Sequence, residues 1–405
     1  MNILLISENF FPEKNAPAKR LYEHAKKWVE LGHNVKVITG VPNAPKGVIY
    51  PGYKNKLFQK EMIDGIEVIR VWTFIAQYSG FILRTLDFLS FMITSLFFGI
   101  FTRKVDIIIS TTPQFLPVIS GYILSKIKSV PFILELRDLW PESIVALNAM
   151  KKNSPIIKVL QKIANHIYKR SKLIVVVTDS FKDYLIKIGI DKNKIIVIKN
   201  GFNFNRSLTP TKSIDYVRED LNLKNNTTVS YIGTIGMAHG VNTILETAKI
   251  CKDVNFLIIG EGAEKTNLKL KAKNEEINNV IFIDAINWQE IVNINQLVSA
   301  NIIHLKKLDL FKTVIPSKIF ESMALKKPIL AGLIGESLEI ILSSESGIGI
   351  EPENELSLKN AIDYIQKNPN DSKKLGINGY NFAKENYNRD VLAEKMINRI
   401  EQLIK

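Results

Sequence analysis

The hydrophobic pattern at the start of the chain predicts a strand, a helix and a second strand. The apolar run Ile3–Ser7 is typical of a strand buried in a parallel sheet. The helix that follows is marked at helical spacing by Leu21, Ala25, Trp28 and Val29. Gly32 is a typical residue for ending it, and Val35–Thr39 supplies the next strand. These three elements form one βαβ unit.

Similar apolar runs recur along the chain in two series, with helical stretches between most of them. The first series continues at 107–109, 132–134, 173–177 and 195–198. The second lies at 229–233, 256–260, 280–283, 301–305 and 329–331. Strands alternating with helices predict the α/β class, here two doubly wound parallel sheets.

A polar stretch without predicted strands, from about residue 203 to 226, separates the two series. We therefore expect a first domain over 1–202, a second over 203–385 and a last helix over 386–405. The apolar positions of that helix are Val391, Leu392, Ile397, Ile400 and Leu403. A chain of 405 residues suits two domains, because a single core rarely grows this large.

Composition and charge narrow the function classes. Hydrophobic residues make up 46% of the chain and charged residues 23%, as in globular proteins. The single cysteine, Cys251, excludes an internal disulfide and fits a reducing compartment. A net charge of +14 implies an anionic partner. No nucleic-acid-binding signature accompanies it, so we expect an anionic membrane surface rather than nucleic acid.

The apolar stretch 88–101 contains 14 uncharged residues, five of them Phe. It is too short to span a bilayer, which takes about 20 residues, and Arg84 and Asp87 limit its extension. Two interpretations compete: a core helix packed on the sheet, or a helix with an apolar face in the membrane interface, held by basic flanks such as Arg103 and Lys104. The chain begins with a strand, not with a signal peptide.

The segment 314–330 carries the strongest chemical signal. Pro316 and Ser317 are typical of a helix start, where free N–H groups and the helix dipole attract phosphate. Lys318 adds a cation, and Glu321 is suited to accept hydrogen bonds from the two hydroxyls of a ribose. Pro328 ends the helix before the next strand. The pattern fits a nucleoside diphosphate, and the alternative is an ordinary capped surface helix.

Two turns after predicted strands are further candidates for phosphate binding. Gly233, Thr234 and Gly236 lie in a loop between a strand and a helix, where backbone N–H groups approach a pyrophosphate. Gly260 opens a Gly-Glu-Gly turn, which is equally typical of a plain strand-to-helix turn. In the first half, Arg137 and Asp138 follow a strand and are suited to orient a sugar hydroxyl or to stabilise phosphate charge, unless they form a structural salt bridge.

The segment 314–330 resembles the nucleotide-sugar motif of family-4 retaining glycosyltransferases, and the likeness to that family extends over essentially the whole chain. It implies the GT-B fold, two Rossmann-like domains facing a cleft. Two family features are missing: Thr313 stands where most members have a further glutamate, and 237–240 lacks the arginine and lysine of the phosphate loop. Lys318 is expected to carry more of that charge.

The resemblance assigns further residues. Ala285 and Ile286 are expected to offer backbone groups to the nucleobase. Asn15, Ala16 and Arg20 of the first loop are expected to contact donor or acceptor. Arg137 and Asp138 stand where many relatives have a His-Asp pair facing the donor sugar, and the Arg-Asp form is shared with bacterial transferases of O-antigen assembly. With Glu321 they form the expected catalytic set.

The N-terminal half resembles a narrower group, the bacterial L-fucosamine transferases, at 11–13, 22–25, 32–35 and 64–73. This likeness implies transfer of an N-acetylated 6-deoxyhexosamine from a UDP-sugar to a polyprenyl-diphosphate-linked saccharide, in O-antigen or capsule assembly. It also implies a cytoplasmic enzyme, peripheral on the inner face of the plasma membrane. The chain contains no Asp-x-Asp pair, so we expect no metal, and no cofactor beyond the donor.

Three alternatives remain open from the sequence. A nucleotide-sugar 2-epimerase shares the two-domain architecture and also binds UDP-sugars. A nicotinamide dehydrogenase would need a Gly-x-Gly-x-x-Gly fingerprint after the first strand, where the chain has Ser7-Glu8-Asn9. A basic membrane- or nucleic-acid-binding scaffold would not depend on Glu321.

Overall fold

The computed structural model describes residues 1–13, 15–44, 47–75, 81–142 and 153–404. The chain divides into two compact units. The first comprises Met1–Asn200 together with Arg389–Lys405, and the second comprises Gly201–Asn388. Each unit is built on its own sheet with helices packed against it, as expected for the α/β class.

The first unit contains an eight-stranded sheet, in the order β3-β4-β2-β1-β5-β6-β7-β8, within the described residues. Its strands are β1 (Asn2–Ile6), β2 (Asn34–Thr39), β3 (Phe58–Ile63), β4 (Ile66–Val71), β5 (Ile107–Thr111), β6 (Phe132–Leu136), β7 (Leu173–Val176) and β8 (Ile195–Val197). Its helices are α1 (Ala16–Glu30), α2 (Phe81–Phe101), α3 (Phe115–Ile127), α4 (Pro155–Arg170), α5 (Asp179–Lys187) and α14 (Arg389–Ile404). All neighbouring strands run parallel except β3 and β4.

The antiparallel edge strand β3 is the one departure from the predicted parallel sheet. It pairs with β4 through the two-residue turn Asp64-Gly65, in which both residues have positive φ, 47° and 79°. This backbone matches the twist of a hairpin. Side chains of β3 alternate between exposed and half-buried, so it has no apolar run to reveal it.

Helices cover both faces of the first sheet and enclose two cores. On one face α1 and α14 pack over Leu5, Val37 and Ile109. The indole N–H of Trp28 donates to the carbonyl of Ala393 at 2.9 Å, which joins the two helices. The sequence placed Val391 among the apolar positions of α14, but in the structure this side chain is exposed. The other face is covered by α2, α3, α4 and α5.

The second unit contains a six-stranded parallel sheet, in the order β11-β10-β9-β12-β13-β14, within the described residues. Its strands are β9 (Thr227–Ile232), β10 (Val254–Ile259), β11 (Val280–Ile283), β12 (Ala300–His304), β13 (Ile329–Gly332) and β14 (Gly347–Gly349). Its helices are α6 (Ile214–Asp220), α7 (Asn242–Ile250), α8 (Lys265–Asn274), α9 (Trp288–Asn295), α10 (Lys318–Ala324), α11 (Glu336–Ser343), α12 (Glu355–Lys367) and α13 (Pro369–Asn386). The short strand β14, Gly-Ile-Gly, was not predicted.

A buried ion pair fixes α1 against the first sheet. Arg20 is 1% exposed, and its Nε donates to Glu135 Oε1 at 2.8 Å. Its other nitrogens donate to the carbonyls of Lys199 and Ile198 at 2.8 and 2.9 Å. The guanidinium therefore joins α1, β6 and the end of β8, and its charge is compensated inside the protein.

Replacing Arg20 with Leu should destabilise the first unit by about 3–5 kcal/mol, because Glu135 would keep a buried charge without its partner. Urea unfolding measures the loss. Lys26→Leu, on the same helix, is the matched control, since its pair with Asp64 is solvent-exposed and worth about 1 kcal/mol or less. Equal losses in the two variants would contradict the structural role of Arg20.

Candidate functional site

Two loops meet at the carboxyl ends of β9 and β10 in the second unit. The N–H of Gly233 donates to the carbonyl of Ile259 at 2.9 Å, and that of Ile235 donates to the carbonyl of Glu261 at 2.8 Å. A Cβ on Gly260 would lie 1.9 Å from the Gly233 oxygen. Gly260 is therefore needed for this close approach, and its role in phosphate binding stays a prediction.

Lys318 lies against the first of these loops. Its Nζ donates to the hydroxyl of Tyr231 at 3.1 Å and lies 4.2 Å from the centre of the Tyr231 ring. The same Nζ is 3.6 Å from the position that a Cβ would occupy on Gly233. The Tyr231 hydroxyl in turn donates to the carbonyl of Thr234 at 2.6 Å. The structure thus brings together Gly233, Thr234 and Lys318, which the sequence assigned to phosphate.

The Lys318 side chain is half-buried, and its ammonium group lies against the Tyr231 ring. Burial lowers its pKa from the ordinary value of 10.5 to about 7, and the Coulombic attraction of Glu321 offsets only part of that effect. Among the ion pairs within 4.0 Å in the described residues, none includes Lys318. The aromatic face and hydroxyl of Tyr231 are its recorded partners. A group so placed is suited to receive an anion.

Two histidines support the same loop and were not singled out from the sequence. His304 ends β12 and is buried, and its Nδ1 donates to the carbonyl of His239 at 2.9 Å. Its Nε2 accepts the N–H of Glu353 at 2.9 Å, so the neutral ring carries its proton on Nδ1. Burial lowers the pKa of His304, and burial together with the charge of Lys318 lowers that of His239 to about 4.

Gly240 and Gly236 complete that loop. Gly240 has φ 57°, and a Cβ there would lie 2.7 Å from the His304 ring. The N–H of His239 donates to the carbonyl of Gly236 at 2.9 Å. The His239 Nδ1 is shielded from solvent and has no hydrogen-bond partner. His304 is thus a positioning residue, which holds the loop through the His239 carbonyl.

The helix start at Ser317 differs from the sequence interpretation. Ser317 has helical backbone angles, and its side chain makes no capping hydrogen bond. Helix α10 spans only seven residues, so its dipole contributes less than expected. The local positive charge is therefore that of the Lys318 side chain. Glu321 lies one turn further along the helix and is partly exposed. It remains the candidate for ribose.

The corner after β11 is held by ion pairs. Lys265 Nζ binds Glu261 at 2.9 Å and Asp284 at 2.5 Å. The N–H of Ala285 donates to the Glu261 carboxylate at 3.4 Å. Ala285 is exposed and Ile286 half-buried, so the corner expected to contact the nucleobase is accessible, although one of its backbone donors already has a partner.

In the first unit, the first-loop residues have structural roles. Asn15 caps α1, and its Oδ1 accepts the N–H of Ala18 at 2.9 Å. Ala16 is the first residue of that helix. Arg20 is buried with its hydrogen bonds directed into the protein, as described above. The predicted ligand contact of Arg20 is therefore wrong, because Glu135 and two carbonyls occupy its guanidinium.

Arg137 and Asp138 lie directly after β6. The hydroxyl of Thr112 accepts both of their backbone N–H groups, at 2.6 and 3.1 Å. The Nε and Nη1 of Arg137 are shielded from solvent and have no hydrogen-bond partner in the part of the chain that the structure describes. Burial lowers the pKa of Arg137 to about 10, with Glu135 and Asp138 opposing and Arg20 and Arg389 adding to the shift.

No group of three or more His, Cys, Asp or Glu side chains in the described residues is arranged to hold a metal ion. The polar groups that the site offers in the second unit are the Lys318 ammonium, the Glu321 carboxylate and the backbone of the Gly233–Gly236 loop. An ammonium beside backbone donors, with a carboxylate one helical turn away, has the chemistry to bind a phosphorylated sugar or nucleotide.

Solved structures define the class of fold. Sucrose-phosphate synthase from Thermosynechococcus elongatus has a TM-score of 0.76 at 17% identity, over 99% of this chain and 98% of that one. HepE of Anabaena, solved with UDP-glucose, has a TM-score of 0.73 at 16% identity, over 99% and 100% of the two chains. The two α/β units are those of the GT-B glycosyltransferase fold, as predicted.

Two family models match the chain in succession. The model of Glycosyltransferase Family 4 matches residues 18–206, and that of Glycosyl transferases group 1 matches residues 213–382. The probable glycosyltransferase WbjE of Pseudomonas aeruginosa is 24% identical over 75% of this chain and 76% of its own length. The putative colanic acid biosynthesis glycosyl transferase WcaI of Escherichia coli is 23% identical over 80% and 81%. The chain is a glycosyltransferase of this group 1/family 4 type, and nothing in these matches supports the epimerase alternative.

The pH dependence of stability tests the buried ammonium. The pKa of Lys318 is lower in the folded chain than in the unfolded one. The charged form of Lys318 therefore lowers the free energy of unfolding at neutral pH, and this loss should decrease as pH rises from about 7 towards about 10.5. The difference in unfolding free energy between Lys318→Met and wild type, measured in urea from pH 7 to pH 10, should shift by about 1–3 kcal/mol in favour of wild type. A pH-independent difference would contradict burial of the charge.

Proposed function

We propose that the chain is a retaining, metal-independent glycosyltransferase that takes a sugar from a UDP-sugar. One observation carries the donor assignment: the Lys318 ammonium lies beside the Gly233–Gly236 loop. Its hydrogen-bond partner is Tyr231, and it forms no ion pair within the described residues. A diphosphate would supply the missing negative charge. The HepE structure with UDP-glucose, which shares the fold, supports a uridine nucleotide as the donor.

The proposal gives each candidate residue a role. Lys318 and the N–H groups around Gly233 and Gly236 stabilise the departing diphosphate, which develops negative charge as the sugar leaves. Glu321 accepts hydrogen bonds from the ribose hydroxyls. Arg137 and Asp138 serve the sugar being transferred, as the family resemblance implies. The acceptor attacks the same face of the sugar that the leaving group occupies, and no enzyme nucleophile takes part.

The acceptor in this proposal is a saccharide linked to polyprenyl diphosphate, and the transferred sugar is an N-acetylated 6-deoxyhexosamine such as L-FucNAc. The resemblance of the N-terminal half to L-fucosamine transferases supports the sugar. The similarity to WcaI, whose name refers to colanic acid biosynthesis, supports a place in bacterial surface polysaccharide synthesis, such as O-antigen, capsule or lipopolysaccharide. Such an acceptor would place the reaction on the cytoplasmic face of the plasma membrane.

Lys318→Met should weaken UDP binding about 10- to 100-fold, because a charge-assisted hydrogen bond to phosphate contributes about 1.5–3 kcal/mol. Glu321→Gln should weaken it less, since an amide oxygen still accepts one ribose hydroxyl. Isothermal titration calorimetry with UDP measures both. Lys312→Met is the matched control, as this lysine is exposed and pairs with Asp309. Unchanged affinity in Lys318→Met would remove the basis of the donor assignment.

Incubation with a panel of UDP-sugars and a polyprenyl-diphosphate-linked saccharide should yield one elongated product by mass spectrometry, with the anomeric configuration of the donor kept. Activity should persist in EDTA, because Lys318 rather than a metal ion balances the leaving diphosphate. Arg137→Ala should reduce turnover by at least about tenfold while UDP affinity stays unchanged. An inverted product, or activity that EDTA abolishes and Mg²⁺ restores, would contradict the mechanism.

A further inference from the structure

Helix α2 presents an apolar face to solvent. Three of its side chains are more than half exposed: Ile93 at 57%, Phe97 at 55% and Phe101 at 66%. The remaining exposed apolar residues of the helix are Leu83, Leu86, Leu89 and Ile100. Steps of three and four residues place all of them along one stripe of the helix. A surface helix of a water-soluble domain has the opposite pattern, with its apolar stripe facing the core.

Three hydroxyl side chains of the same helix, Ser90, Thr94 and Ser95, bond to neighbouring parts of the first unit. The Ser95 hydroxyl bonds to that of Ser120 on α3 at 2.9 Å. Thr94 donates to the carbonyl of Trp72 at 3.0 Å, and Ser90 accepts the N–H of Phe74 at 2.7 Å. The sequence predicted a stretch too short to span a bilayer, but α2 begins at Phe81 and is, by length and composition alone, long and apolar enough to cross one. These bonds instead fix its inner side along the sheet, so only its outer stripe is available to lipid.

The apolar surface continues onto the two neighbouring helices. Ile123 and Ile127 on α3, and Ile156 and Val159 on α4, are exposed. Between α3 and α4 lies a groove of about 410 Å³, lined by four isoleucines together with Tyr122, Lys162 and His166. We call the outer surface of α2, α3 and α4 the lipid face. An exposed apolar area that extends over several helices is typical of an interaction surface.

The charge of the lipid face is strongly one-sided. Helices α2, α3 and α4 carry one acidic residue, Asp87, which points inward beside Glu8. They carry six exposed basic residues: Arg84, Lys126, Lys158, Lys162, Lys169 and Arg170. On the opposite side of the sheet, α14 has three acidic and three basic residues. The three helices that form the lipid face therefore carry a clear excess of positive charge.

We propose that the lipid face docks into the surface of an anionic phospholipid bilayer, with the apolar stripe of α2 in the acyl boundary and the six basic residues at the headgroups. An apolar stripe flanked by Lys and Arg is the chemistry that such an interface selects. A symmetric contact between two copies would instead bring two sets of like charges together, which is unfavourable. The inference goes beyond the proposed transfer reaction and does not depend on the identity of the donor.

Flotation with lipid vesicles tests the proposal on the full chain. Wild type should bind vesicles of phosphatidylcholine mixed with phosphatidylglycerol, and bind pure phosphatidylcholine only weakly. Ile93→Ser with Phe97→Ser should reduce binding to the anionic vesicles by at least about tenfold, because two exposed anchors are lost. Lys158→Gln with Lys162→Gln should reduce it severalfold and make the remainder less sensitive to salt. Both variants should bind UDP as wild type does.

Leu342→Ser with Leu356→Ser is the matched control, since both leucines are exposed on the second unit and should not affect vesicle binding. Thermal unfolding of every variant shows whether the fold is intact. The proposal is overturned if wild type remains unbound, or if the α2 variant binds as strongly as wild type. It is also overturned if sedimentation without lipid shows a dimer that the α2 variant dissociates, because the stripe would then be a contact between copies.

Discussion

The candidate site depends on one constraint: the ammonium group of Lys318 forms no ion pair within the described residues. Lys318 loses hydration in the second unit, and the ring and hydroxyl of Tyr231, together with the Coulombic attraction of Glu321, compensate only in part. An internal carboxylate pair would have made the charge more stable and would also have neutralised it. Because the charge of Lys318 is not neutralised within the protein, an anion that binds beside it gains the full attraction of the ammonium group. The loop that faces it is held by backbone and by neutral histidine.

The first unit manages its charges differently. Arg20, Arg137 and Arg389 lie close enough to influence one another, and the first is fully committed to Glu135 and to backbone carbonyls. Arg389 pairs with Glu23. Two nitrogens of Arg137, Nε and Nη1, have no hydrogen-bond partner within the described residues. Arg20 and Arg389 therefore stabilise the unit. Arg137, whose backbone N–H donates to Thr112 at the end of β6, still has donors that can bind a ligand. This difference supports Arg137, rather than Arg20, as the functional cation of this unit.

The sequence predicted the fold well because central parallel strands are continuous apolar runs, such as Ile107–Thr111. It missed β3, β4 and β14. The edge strand β3 and the Gly-Ile-Gly strand β14 carry no such run, and Glu67 and Arg70 interrupt the apolar residues of β4. Within the site, Lys318 and Gly233 were predicted as a pair and are adjacent. Arg20 was misassigned because its partner lies 115 positions away. His304 gave no signal, since its role is a bond to a backbone carbonyl. Local chemistry is visible in a sequence, whereas long-range partners are not.

The outward stripe of α2 also has a consequence for how the protein behaves once it is removed from the cell. In water, those phenylalanine and isoleucine side chains would be the first to associate during concentration, and the surrounding positive charge would restrain that association only while the ionic strength stays low. High salt, which usually improves the recovery of basic proteins, would here promote precipitation. A mild detergent or short-chain lipid would take the place of the lipid surface that we propose for the helix.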